Sequence, residues 1–165
     1  MTEKPEVVRP TPEDYNALVN SAELLDIKLI KSSFDVQPTF FVMGDDDKSF
    51  RYNCELSRAF YREDGDHIFA EVYLEAGCKR GNKWLLRAKS TYLVAYALDR
   101  PTTEAAAMQY LNKVARFTAY PYFRAHFAEQ CGQAGAIVEP LPVLRGNIPT
   151  QVDGQGRNDK ALAST

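Results

Sequence analysis

The chain has 165 residues, of which 45% are hydrophobic, 25% charged and 12% aromatic, with a formal net charge of −2. That length holds one well-buried domain and is short for two, and the balance is that of an ordinary globular protein, which excludes the disordered and fibrous classes. No run approaches the roughly 18 apolar residues that a membrane span requires, and the acidic, polar start MTEKPEVVRPTPEDYN is unlike a signal peptide, so a cytoplasmic chain without membrane insertion is expected.

Cys54, Cys78 and Cys131 form no CxxC pair, suggest neither a disulfide framework nor a zinc knuckle, and fit as small core side chains. Charge is uneven along the chain. Met1 to Cys78 holds 16 acids against 8 bases, and Lys79 to Arg124 holds 9 bases against 2 acids. The two stretches can neutralise each other in one fold, or the basic one can face a nucleic acid.

Residues 1–23 read as a polar, flexible lead. LLDIKLIKSSFDV, Leu24 to Val36, is rich in β-branched and long apolar residues and stops before Pro38, as a strand does. From Pro38 to Ser49 there is no periodicity; Phe40, Phe41, Val42 and Met43 sit side by side ahead of an acidic turn, which predicts a loop with an apolar centre. FRYNCELSRAFY, Phe50 to Tyr61, alternates, with Phe50, Tyr52, Cys54 and Leu56 on one side. After the turn EDGDH, IFAEVYLEA alternates again, and WLLRAKSTYLVAYAL follows the turn GCKRGNK as a fourth strand. With that hairpin centred on Arg80, Glu71 falls opposite Lys89, Tyr73 opposite Arg87 and Leu74 opposite Leu86. Cross-strand acids then offset the basic stretch and remove most of the case for nucleic-acid binding, and a charged turn explains Lys79, Arg80 and Lys83 beside Trp84.

Four strands joined by turns imply an antiparallel meander, and the helical remainder makes the chain α+β. DRPTTEAAAMQYLNKV opens with Pro101 and the capping residues Thr102 and Thr103 before a helical pattern. The stripe Phe117, Tyr120, Arg124, Phe127 and Cys131 continues the helix until Gly132 and Gly135, and Pro121 within it must kink the helix or begin another. AIVEPLPVLRG is extended, since Pro140 and Pro142 bar helix, and 146–165 reads as a flexible polar tail.

Motifs of catalysis are missing. His67 lies in a turn and His126 off the aromatic stripe, neither spaced to a cysteine or serine as a nucleophilic pair. Asp45, Asp46 and Asp47 lack the glycine and distal glutamate of a calcium loop and read as a solvated turn. With no phosphate loop, dinucleotide fingerprint or zinc-protease motif, the chain is not expected to be an enzyme or to carry a metal or cofactor.

The order of four antiparallel strands, a proline-interrupted helix containing YPYFR, a glycine stop and a proline-rich extended segment resembles the SecB protein-export chaperone family. The helix motif falls on Tyr120, Pro121, Tyr122 and Arg124, the glycine on Gly132 or Gly135, and the apolar stretch on Ile137 to Val143; the likeness spans roughly Leu24 to Arg145. The resemblance implies a chaperone domain over 24–145 that assembles as a homotetramer, a dimer of dimers, with eight-stranded sheets and the long helices packed between dimers. Phe117, Tyr120, Tyr122, Arg124 and Phe127 then belong to the interface helix. It further implies an ATP-independent chaperone that holds unfolded polypeptides in apolar grooves and keeps them competent for export. Phe34, Phe40, Phe41, Val42 and Met43 are the matching client groove, and serine at Phe40 and Phe41 is expected to weaken client binding while sparing assembly. The family docks the motor SecA on an acidic sheet face, where this chain puts Arg87 and Lys89, which would weaken that docking. The alternative is a SecB-like partner dedicated to one client, such as an antitoxin.

Overall fold

A computed structural model of the chain describes residues 9–62 and 65–144. The predicted flexible C-terminal tail, 146–165, lies outside them, as do residues 1–8. In order the elements are helix α1 (Pro12–Ser21), strand β1 (Glu23–Val36), the single turn of helix α2 (Thr39–Val42), a 3-10 turn (Asp45–Asp47), strands β2 (Ser49–Phe60), β3 (His67–Arg80) and β4 (Lys83–Ala97), and the long helix α3 (Glu104–Gln133). The architecture is α+β, a four-stranded antiparallel sheet followed by one long helix.

Three expectations change. The lead is not featureless, because Thr11 caps α1 by accepting from the Asp14 N–H at 3.1 Å, Pro12 opens it, and Leu18 buries its side chain in the core. The sheet order is β1-β4-β3-β2, so only β2, β3 and β4 form a meander. Strand β1 sends its chain across α2 and the 3-10 turn and lies beside β4, a Greek-key connection that turn signals alone do not distinguish from a hairpin. Finally, the β3–β4 hairpin turns beyond Arg80, at Arg80↔Lys83, so Glu75 faces Lys89 and Leu74 faces Ser90. The partners lie four residues beyond the symmetric pairing: the turn falls past Arg80 instead of on it, which accounts for three, and a bulge at Cys78/Lys79 adds the fourth.

Gly77 makes this corner possible. Its φ is +156°, and a Cβ there would lie 2.0 Å from the Leu86 carbonyl oxygen. Every second residue of β3 and β4, including Ile68, Val72, Leu74, Leu86 and Val94, is buried on one face of the sheet. Helix α3 covers that face. Its contact residues repeat every fourth position, Ala107, Leu111, Ala115, Ala119, Phe123, Phe127 and Cys131, a ridge inclined to the helix axis that follows the twist of the sheet. Thr103 caps the helix, and it runs without interruption through Pro121 instead of breaking there. The hydrogen bond that Pro121 cannot donate is lost on an exposed flank, which limits the cost. Gly135, with φ +66°, ends the helix in a Schellman motif: Ala136 N–H reaches the Cys131 carbonyl at 2.9 Å and Gly135 N–H the Gly132 carbonyl at 3.1 Å.

Candidate functional site: an apolar trough beside the long helix

The chain after Gly135 does not leave the domain. Ala136 and Leu141 are buried, and Tyr120 Oη donates to the Pro142 carbonyl at 2.8 Å, so the extended segment is tied down along α3. Burial pushes the Tyr120 hydroxyl well above its ordinary pKa, which keeps it a neutral donor for that bond. Between helix and segment lie two adjoining cavities. One, of about 440 Å³, is lined by Phe117, Pro121, Ala125 and Val143; the other, of about 360 Å³, by Phe127, Cys131, Ile137 and Val138; both share Arg124 and Ala128. Together they form a continuous trough with Arg124 at its middle. Ile137, 92% exposed, and Val143, 63% exposed, stand on its wall, covered by none of the described residues.

Burial raises the Cys78 thiol above its ordinary value. The α2 region lies against β4, where Gln37 N–H donates to the Leu85 carbonyl at 2.7 Å. The predicted client residues divide there. Phe40 is 2% exposed, with Phe41 edge-on to it at 5.3 Å and Lys48 Nζ 4.4 Å from its ring centroid. Phe34 and Met43 pack partly buried against the core. Only Phe41 and Val42 are open to solvent. Four consecutive apolar residues cannot all face outward from one helical turn, so Phe40 went into the core.

The predicted interface set divides in the same way, three ways around the helix. Tyr120 and Phe127 belong to the chain's own core, with Phe127 6.1 Å from both Phe123 and Phe50 between ring centroids. Phe117 and Arg124 face the trough. Tyr122 lies on the opposite flank with His126 one turn on, and His126 Nε2 sits 3.0 Å from Ser32 Oγ of β1. That flank continues into β1, whose second edge pairs with no strand among the described residues and which exposes Leu24, Leu25, Leu29 and Ile30. All three cysteines are buried and free. Ile137, Val143, Ala128 and Leu144 escaped the sequence reading as trough residues; the signal was the aperiodic apolar run AIVEPLPVL held extended by its prolines.

The geometry defines a class, a small sheet-and-helix domain with an open apolar trough and no assembled catalytic group among the described residues. Its fold is that of a SecB-like chaperone. The solved structure of the Mycobacterium tuberculosis Rv1957 SecB-like chaperone, in complex with a ChAD peptide from the Rv1956 HigA1 antitoxin, superimposes with a TM-score of 0.66, covering 82% of this chain and 99% of that one at 14% identity. No family model and no curated protein sequence matches the chain.

Proposed function

We propose that this protein is a cytoplasmic, ATP-independent chaperone, not an enzyme, that holds non-native polypeptides in an export-competent state. The observation that carries the reading is the trough itself: a pinned apolar channel whose wall residues Ile137 and Val143 stay uncovered on a SecB-like fold. An apolar segment entering it removes surface from water on both partners, and extended client backbone adds strand-like hydrogen bonds. Phe41 and Val42 add further exposed apolar surface after β1. The β1 edge with Leu25 and Ile30, flanked by Tyr122, suits pairing with a second copy into an eight-stranded layer. The test is suppression of aggregation of an unrelated, chemically unfolded protein at near-stoichiometric ratio without nucleotide. Absence of suppression refutes the reading.

A second reading is a chaperone dedicated to one client. It is favoured by the structural neighbour, which holds an antitoxin peptide. A dedicated chaperone copurifies with one small protein and leaves generic unfolded clients to aggregate.

A further inference from the structure

The sheet face opposite α3 is half-exposed where the residues between are buried, and its charge is concentrated at one end. From Cys78 to Lys89 the β3–β4 hairpin carries Lys79, Arg80, Lys83, Arg87 and Lys89 and no acid. Arg87 is engaged: Nε donates to Glu75 Oε2 at 2.9 Å, and Tyr73 Oη donates to the same oxygen at 2.7 Å. Lys79, Arg80, Lys83 and Lys89 make no ion pair among the described residues. Among them stands Trp84, the chain's single tryptophan, with Lys79 Nζ 4.3 Å and Arg87 Cζ 4.9 Å from its ring centroid.

In a chain of net charge −2, Lys79 against the Trp84 ring, Arg80 and Lys83 beside the turn, and Lys89, whose cross-strand neighbour Glu75 is already held by Arg87, make an anion-seeking surface. Glu75 shows the chemistry from within, a carboxylate held at once by a guanidinium and a phenol on this face. The hairpin leaves the two lysines of the strands and the two bases of the turn to do the same for carboxylates from outside, and Trp84 offers an apolar plate between them. We propose that this end of the sheet docks an acidic polypeptide segment with interspersed apolar side chains, at a site separate from the trough. Spacing favours a peptide over a nucleic acid, because Lys89 and Trp84 both lie on the pleated face of β4, whose repeat of about 3.3 Å per residue an extended chain shares.

Trp84 supplies the readout. Tryptophan emission of the full chain is titrated with a peptide of about ten residues alternating aspartate and phenylalanine, with a lysine–phenylalanine peptide of equal length and with single-stranded oligothymidylate. The acidic peptide is expected to change the emission saturably and to bind less tightly as salt rises. An Arg80→Glu/Lys83→Glu pair, both exposed in the turn, should weaken it about tenfold, with Lys89→Glu as the second variant, and Ile137→Ser should leave it unchanged. Equal binding by the charge-reversed chain with an unchanged melting curve, equal binding of the basic peptide, or tighter binding of the oligonucleotide overturns the proposal.

Discussion

Ile137→Ser separates binding from folding more sharply than any other substitution in the trough. The side chain is 92% exposed, so replacing it removes almost nothing from the folded core, and stability should stay within about 0.5 kcal/mol. For the same reason nearly the whole side chain is available to be covered by a client. Covering an isoleucine is worth about 1.5–3 kcal/mol, and serine forfeits most of that. A loss of about 2 kcal/mol corresponds to a roughly 30-fold higher Kd. The assay is fluorescence anisotropy of a labelled, permanently unfolded polypeptide titrated with each variant, alongside thermal melts. Phe40→Ser is the counter-case, because Phe40 is 2% exposed and its removal should cost about 3–5 kcal/mol of stability. The paired serine substitution expected from sequence to spare assembly should therefore destabilise the fold as well. An Ile137→Ser affinity within twofold of the parent would refute the reasoning.

Gly77→Ala should cost about 3 kcal/mol or more, because the added methyl would sit 2.0 Å from the Leu86 carbonyl oxygen; an unchanged urea midpoint would contradict this. Burial pushes the Cys54 thiol to about 12 and Cys131 to about 11, from an ordinary 9.0, so the native protein should resist iodoacetamide at about pH 8 and react only once unfolded. Because those folded values are raised, the stability they contribute is complete below pH 9 and lost as the unfolded thiols ionise. The melting temperature should hold to about pH 8.5 and fall between pH 9 and 11, and a flat profile would remove the argument. Leu25→Lys with Ile30→Lys on the unpaired β1 edge should lower the oligomeric mass in light scattering without lowering secondary structure, and an unchanged mass would place the interface elsewhere.

The strands were legible because alternation survives in the one-dimensional pattern. Leu24 to Val36 was read as a strand within one residue of β1, and Phe50, Tyr52, Cys54 and Leu56 do line one face. Pairing was not legible. Nothing local says that Val36 meets Leu86 across β4 and not a residue of β2, since the choice is made by long-range packing. The hairpin register failed because the turn lies past Arg80 instead of on it and because a one-residue bulge follows, neither of which alternation reveals. The helix face was legible in part: Tyr120, Phe127 and Cys131 of the stripe are buried, whereas Phe117 and Arg124 are not, and the buried ridge also runs through the small residues Ala107, Ala115 and Ala119 to Phe123. Small side chains are invisible to a hydrophobic stripe yet let the helix lie close on the sheet. The trough was missed for a related reason: its wall is a segment without periodicity, fixed only when Tyr120 reaches Pro142.

The central claim is that non-native polypeptide occupies the trough. A photo-crosslinking amino acid placed at Ile137, with an unfolded client and no nucleotide, tests it most directly, using Asp99, exposed after β4, as the reference position. The account predicts client crosslinks from 137 that a folded form of the same client does not give, and none from 99. Equal crosslinking from both positions, or none from 137 while aggregation is still suppressed, would contradict it.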